Sequence, residues 1–318
     1  MIIIILKYID GVSKIITHKT GVLMNLIKLR AYAKINLGLD VVRRREDGYH
    51  EVKMIMQTIG LYDKLTISLW DNPSIKVTTN LHYLPVDENN LVYKAAAMMR
   101  DEYGISQGIQ IDLEKKIPVA AGLAGGSSDA AATLHGMNKL FKLKLTKAEL
   151  MKLGVRLGAD VPYCILRGTA LSEGIGEVLT PLKPFPDCHV LLVKPPINVS
   201  TKYVYENLKL DVTTKHPDID GIIANINNND LYGATKLFDN LLETVTTKDY
   251  PIINEIKAGM MKQGAITSLM SGSGPTVFGI FDDYKKAKDA FYHFKASDIG
   301  KQIYLTNLFN PQGNNSIH

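Results

Sequence analysis

Cysteine is scarce in this chain: Cys164 and Cys188 are the only two among 318 residues. They form no C-x-x-C pair and have no histidine nearby at zinc-ligand spacing. A disulfide framework and a structural zinc site are therefore not expected, and reduced thiols point to the cytosol. Long apolar runs are missing too. The opening stretch Met1 to Leu6 is apolar, but Lys7 and Asp10 interrupt it, and it is far too short to span a bilayer. It has neither a basic leader nor an evident small-residue cleavage site, so a secretory signal is not expected. A second methionine, Met24, stands just before the first clean strand pattern. The folded domain is expected to start there, with residues 1–23 as an upstream extension. No Walker A sequence and no G-x-G-x-x-G dinucleotide fingerprint occurs. Internal repeats and low-complexity tracts are absent. Charge of one sign is never concentrated, since Arg43-Arg44-Arg45 is the only three-residue basic run and the net charge is +5. Such scattered charge reads as a solvated surface with a mild bias that suits an anionic ligand.

What remains is a globular composition, 46% apolar and 22% charged. A chain of this length forms one large domain or two ordinary ones and needs no staple. From Ala31 to Val41 the pattern alternates. Ala33, Ile35, Leu37, Leu39 and Val41 make one face, and Lys34, Asn36, Gly38 and Asp40 the other, as in a half-buried strand. Asp47-Gly48 signals a tight turn, and Val52 to Ile59 resumes an extended pattern in an antiparallel sheet. Leu65 to Leu69, Ile75 to Thr79 and Ile109 to Leu113 read as further strands. Asn90 caps a helix over Leu91 to Asp101, another helix runs from about Ser128 to Phe141, and Thr146 with Glu149 makes a capping box for a third. The proline-rich stretch Pro181 to Pro186 marks the domain boundary. Beyond it, strands at Val190–Val193, Ile266–Met270, Val277–Phe281 and Ile303–Leu308 and helices near Ile252–Lys262 and Lys285–Phe294 give an α+β layer.

Three features could carry chemistry. The run from Pro118 to Asp129 contains Gly122, Gly125 and Gly126, then Ser127 and Ser128 where a helix is expected to begin. Glycines let backbone approach a ligand, and a helix start offers free N–H groups and a positive dipole end to phosphate. The plainer alternative is a tight strand-to-helix turn with a serine cap. Lys34 could stabilise charge on a transferring phosphoryl group; otherwise it is a surface lysine lying over the sheet. Asp160, in Gly158-Ala159-Asp160-Val161-Pro162, could orient a hydroxyl and take its proton, or simply cap a turn before proline. Spacing alone does not choose between Asp160 and Asp129. In Gly48-Tyr49-His50 the ring of Tyr49 could stack on a base that His50 hydrogen-bonds, with ordinary turn packing as the alternative. The second glycine loop, Ser271 to Pro275, reads by itself as a hairpin turn.

Taken in order, Ala31 to Leu39, Asp47 to Glu51, Pro118 to Asp129, Gly158 to Pro162 and Ser271 to Pro275 resemble the galactokinase, homoserine kinase, mevalonate kinase and phosphomevalonate kinase (GHMP) superfamily. Within it the chain resembles the members whose acceptor is a cytidine-diphosphate-linked sugar alcohol. The resemblance runs from about residue 24 to near the C-terminus. It implies a two-domain α+β GHMP kinase fold. An ATP-binding domain like ribosomal protein S5 domain 2 would span residues 24–182, and an α/β sandwich residues 183–318. ATP and Mg2+ would bind in the cleft between them. Pro118, Val119, Ala120, Ala121, Gly122, Leu123, Ala124, Gly125, Gly126, Ser127 and Ser128 match the ATP-phosphate loop. Asn90 and Leu91 match an adenine-pocket segment, and Lys34 and Asp160 the catalytic pair. Asn36, Tyr49 and His50 match positions that hold cytidine, with Tyr205, chosen over Tyr203, on the other face of the base. Ala120, Ala121 and Ala124 stand where some relatives carry glycine, so positive φ is not expected there. The resemblance leaves the metal ligands unassigned and implies a cytoplasmic monomer or homodimer with no nucleic-acid or membrane partner. The rival readings are a homoserine- or mevalonate-type kinase and a catalytically silent nucleotide- or RNA-binding relative.

Overall fold

The computed structural model describes residues 5–9, 12–16 and 26–311. Met24 lies outside the described residues. Eight strands form the first sheet: β1 (Ile5–Ile9), β2 (Val12–Ile16), β3 (Leu26–Arg44), β4 (His50–Trp70), β5 (Ile75–Thr79), β6 (Gly108–Glu114), β7 (Thr169–Glu173) and β8 (Val178–Pro181). Their order is β1-β2-β3-β4-β6-β5, with β7 on the other half of β4 and β8 outside it. Among the described strands, only β5 and β6 pair in parallel. Helices α1 (Leu91–Glu102), α2 (Gly125–Leu140), α3 (Lys147–Val155) and α4 (Val161–Leu166) belong to this half. The capping box of Thr146 and Glu149 starts α3 as expected. Beyond Pro186 comes a second, antiparallel sheet, ordered β10 (Thr267–Met270), β11 (Val277–Phe281), β9 (His189–Lys194), β12 (Gln302–Asn307). With it go α5 (Thr201–Asn207), α6 (Ile219–Asn227), α7 (Leu231–Lys236), α8 (Glu243–Asp249), α9 (Ile252–Lys262) and α10 (Tyr284–Lys295).

Two expectations change at the central hairpin. The extended runs at Val52–Ile59 and Leu65–Leu69 are one continuous strand, β4. It pairs with β7 through Met54 to Gln57 and with β6 through Lys64 to Trp70. Nor is β3 half-buried, because every residue from Ala33 to Val41 is buried. The apolar face of Ala33, Ile35 and Leu37 packs into a core shared with Ile219 and Ile222 of α6 and Phe278 of β11. A Cβ on Gly38 would lie 2.8 Å from the Cδ1 atoms of both isoleucines, so glycine lets α6 sit against the strand. The polar face is covered because it forms the floor of a cleft. Register shifts between Tyr32 and Lys34 and between Asn36 and Gly38 bracket that floor. Such bulges bend a strand and re-aim its side chains.

His135 of α2 is a buried liability in the first half. Its Nε2 is buried without a hydrogen-bond partner. Burial, helped by the charges of Arg167 and Lys139, lowers its pKa to about 4. The unfolded chain takes up this proton near pH 6.5, whereas the folded chain resists it until about pH 4. Stability is therefore flat above pH 6.5, falls as pH drops through the window, and levels off below about 4. The linkage amounts to about 2 kcal/mol between pH 7 and pH 5. Urea unfolding at those two values should show the loss in the wild type and a smaller one in His135→Leu. Equal losses would remove His135 from the account.

Candidate active site

A cleft of about 1100 Å³ lies between the halves of the chain. Its floor is the polar face of β3. Lys34, 5% exposed, donates from Nζ to Asn36 Oδ1 at 2.7 Å, as the shared strand face predicts. Asn36 in turn directs Nδ2 at Met54 Sδ, 3.2 Å away. Asp160 approaches from the start of α4, with Oδ2 3.8 Å from Lys34 Nζ. It occupies the N-cap position but makes no side-chain capping bond, and Pro162 sits in the first turn. The carboxylate is thus free for the cleft. Asp129 is used differently. Together with Asp63 it pairs with the buried Lys115 ammonium, at 2.7 Å from its own Oδ2. Burial opposes the charge on Lys115, but Asp129 and Asp63 outweigh it and raise its pKa. Burial also drives the Asp129 carboxyl well above the usual range, with Lys115 pulling the other way. Its Oδ1 is buried and has no partner. The two aspartates that sequence spacing could not separate thus have different surroundings.

The glycine-rich loop forms one wall. Ala120 (φ 50°), Gly122 (φ 74°) and Ala124 (φ 54°) are all left-handed, so every second residue turns. This corrects the expectation that the alanines avoid positive φ; of the three, only Ala121 does. An alanine in this region costs about 1–2 kcal/mol, and strain of this kind concentrates where surrounding packing fixes a binding loop. Helix α2 starts at Gly125, three residues before the expected Ser128, with Ala124 as its cap. Ser127 lies in the first turn and lines the cleft. Ser128 does not: its hydroxyl donates to Tyr32 O at 2.6 Å, tying α2 to β3. Leu123 is also turned away, buried in the core, and its carbonyl accepts from Lys34 N. The rest of the loop, Pro118 to Gly122 and Ala124 to Gly126, faces the cleft.

Asn90 and Leu91 stand at the end of the cleft beside that loop. The Asn90 side chain is fully used, accepting from Val92 N and donating to Pro85 O, so it shapes this wall and caps α1. His50 and Tyr205, also on the cleft wall, meet with ring centroids 5.1 Å apart. Burial and then the charge of Arg44 lower the pKa of His50. Burial, and after it the negative charge of Asp160, raises that of Tyr205. Tyr49 is 61% exposed at the rim. Tyr203, on the same helix as Tyr205, is 45% exposed and does not line the cleft.

Sequence reasoning gave several contributors no role in the cleft. Lys115 carries no motif. Arg44 was concealed in a basic run read as surface. Thr201, Lys202 and Glu206 line the cleft from α5 at helical spacing beside Tyr205. The loop from Ser271 to Pro275 does turn between β10 and β11, but it also docks on the first glycine loop. Ser271 Oγ donates to Gly122 O at 2.9 Å, and Gly272 and Ser273 face the cleft. Asn240 fastens this second loop through Nδ2, which donates to Met270 O and Gly272 O at 2.8 Å each.

The GHMP kinases N terminal domain matches residues 90–168, and the GHMP kinases C terminal domain residues 200–297. A 4-diphosphocytidyl-2-C-methyl-D-erythritol kinase from Lachnoclostridium phytofermentans is 60% identical, over 90% of this chain and 98% of its own. One from Lachnospira eligens is 54% identical over 91% of this chain and 100% of its own. Among solved structures, a crystal structure of 4-(cytidine 5'-diphospho)-2C-methyl-D-erythritol kinase aligns with a TM-score of 0.75 at 32% identity, covering 88% of this chain and 98% of that one. Homoserine kinase from Cytophaga hutchinsonii, at 20% identity and a TM-score of 0.69, shares the fold. With relatives this similar spanning both halves of the cleft, the chain belongs to the 4-diphosphocytidyl-2-C-methyl-D-erythritol kinase family of GHMP kinases.

Proposed function

We propose that this protein transfers the γ-phosphoryl group of ATP to the 2-hydroxyl of 4-diphosphocytidyl-2-C-methyl-D-erythritol, a step of non-mevalonate isoprenoid precursor synthesis. The observation that carries the reading is the 3.8 Å approach of Lys34 and Asp160 beside a left-handed glycine loop. The acceptor oxygen attacks the γ-phosphorus, the bond to the β–γ bridging oxygen breaks, and ADP leaves with that oxygen. Asp160 takes the hydroxyl proton, and the Lys34 ammonium stabilises charge that builds on the transferring group. Asn36 holds that ammonium in place. The amides of the first turn of α2, which lack intrahelical acceptors, hold the phosphates. Positioning and charge stabilisation carry most of the catalysis in such transfers.

Magnesium fits this cleft as an ion that arrives on the triphosphate. Among the described residues no group of three His, Cys, Asp or Glu forms a cage. Asp129 Oδ1, however, is buried without a partner on the wall that also carries Ser127. Ser127 would hold the ion together with Asp129, whose raised carboxyl would give up its proton to the arriving cation; when bound, the ion neutralises the triphosphate.

Tyr49 would stack on the cytosine with Tyr205 on the other face of the base, and His50 would hydrogen-bond its edge. Tyr49→Ala is then expected to raise KM for the cytidyl acceptor about 10-fold, the scale of one lost base stack, with little change for ATP. Steady-state kinetics with each substrate varied in turn decides this, and equal effects on both would reject the stacking role. We take residues 24–182 as the ATP-binding domain, residues 183–318 as the C-terminal domain and residues 1–23 as an extension. No described helix is long and apolar enough to cross a membrane. Two free, buried cysteines support a cytoplasmic site of action, and the protein acts on its small-molecule acceptor without nucleic acid, as a monomer or homodimer. Phosphorus NMR of the protein with ATP, magnesium and a panel of acceptors tests the whole reading. A product only with homoserine or mevalonate, or no ADP with any acceptor, would overturn it.

A further inference from the structure

Most of the positive charge on the cleft wall is already committed. Lys34 lies against Asp160, and Lys115 is held between Asp63 and Asp129. Lys202 faces Glu206 one turn along α5, at 3.8 Å. Arg44 is the exception. It lines the cleft, is exposed, and has no carboxylate or ring partner among the described residues. Its chain neighbours differ from it. Arg43 pairs with Glu51 at 2.6 Å, and Arg45 with Asp47 at 2.9 Å. The basic run therefore holds two tethered arginines at the turn and one free guanidinium in the cleft.

The place of that guanidinium indicates which substrate it serves. Arg44 is the register partner of His50 across the β3–β4 hairpin, and its charge depresses the pKa of His50. It thus belongs to the acceptor end, with Tyr49, His50 and Tyr205, and not to the glycine loop that serves ATP. The acceptor of the proposed reaction carries a diphosphate between its base and the hydroxyl that reacts. An unpaired, planar guanidinium beside the base pocket is the donor best matched to two adjacent phosphate groups, because its fixed fork of N–H donors fits them bidentately. We propose that Arg44 is an acceptor-binding residue that grips the diphosphate of the cytidyl substrate. This rests on the functional reading above and extends it to a residue that no motif marks.

The experiment is calorimetric titration with two probes, cytidine and cytidine 5'-diphosphate, on the full chain and on Arg44→Gln. A charge-assisted hydrogen bond contributes enough to predict roughly a 10- to 100-fold loss of diphosphate affinity in the variant. Cytidine affinity should stay within about two-fold, and KM for ATP should not move. Raising the salt concentration should weaken diphosphate binding more in the wild type than in the variant, since the ion pair is screened. Arg44→Lys, which keeps the charge but loses the fork, should fall between the two. Unchanged diphosphate affinity in Arg44→Gln overturns the proposal. An equal loss for cytidine also overturns it, because Arg44 would then serve the base. A wild-type protein that binds neither probe and releases no ADP would remove the functional reading, and the proposal along with it.

Discussion

Asp160→Asn is expected to abolish turnover while ATP is still held. Losing a positioned general base costs roughly 10²- to 10⁴-fold. The substitution is a clean probe for two structural reasons. Asp160 makes no capping bond to α4, so asparagine leaves the helix start as it was. Its ion-pair partner among the described residues is Lys34, whose ammonium keeps its bond to Asn36 Oδ1. Single-turnover transfer should therefore collapse, with the melting temperature and calorimetric ATP affinity close to wild type. A variant that retains most of its transfer rate would end the assignment of Asp160 as base. One that loses ATP affinity in proportion would make Asp160 a binding group instead.

The second large effect is structural in origin. A Cβ added at Gly122 would sit 2.0 Å from Ser271 O and 3.2 Å from Gly274 O, on a residue whose φ is +74°. The backbone conformation alone costs an alanine about 1–2 kcal/mol. The clash is with backbone, which no rotamer change relieves, so the two glycine loops must separate. Gly122→Ala should lower the melting temperature and weaken ATP binding by about 10-fold or more, as the wall that faces the phosphates shifts. Ser271→Ala is the graded comparison. It removes the hydroxyl bond to Gly122 O but leaves the carbonyl where it is, at a cost of about 1 kcal/mol. If Gly122→Ala binds ATP like the wild type, the tight approach of these loops has no part in nucleotide binding.

The comparison between sequence and structure turns on what local pattern encodes. Alternation found β3 and placed Lys34 beside Asn36, because pleat geometry is local. It could not show that both faces of the strand are covered. That depends on Ile219 and Ile222, which arrive from a helix about 180 residues later. Caps were readable where the side chain itself makes the bond, as at Asn90 and Thr146. The start of α2 was misplaced because a left-handed alanine, Ala124, begins it, and no side-chain signal marks such a cap. The small residues from Gly122 to Ser127 marked one wall of the cleft, while the different surroundings of Ser127 and Ser128 depend on the position of Tyr32 O. Resemblance separated Asp160 from Asp129. The physical distinction is that Lys115 and Asp63 occupy the second aspartate. Arg44 was illegible because three adjacent arginines look alike until Glu51 and Asp47 claim two of them.

The bond from Ser271 to Gly122 joins residues 149 positions apart, and this has a consequence during synthesis. When a ribosome has made the first sheet and its helices, the stretch of chain that will brace the glycine-rich wall of the cleft has not yet been translated. At about 5–20 residues per second, the nascent protein passes roughly 7 to 30 seconds with that wall unbraced. A ligand held against that wall can therefore favour the finished fold only late, after the second half has been released and docked.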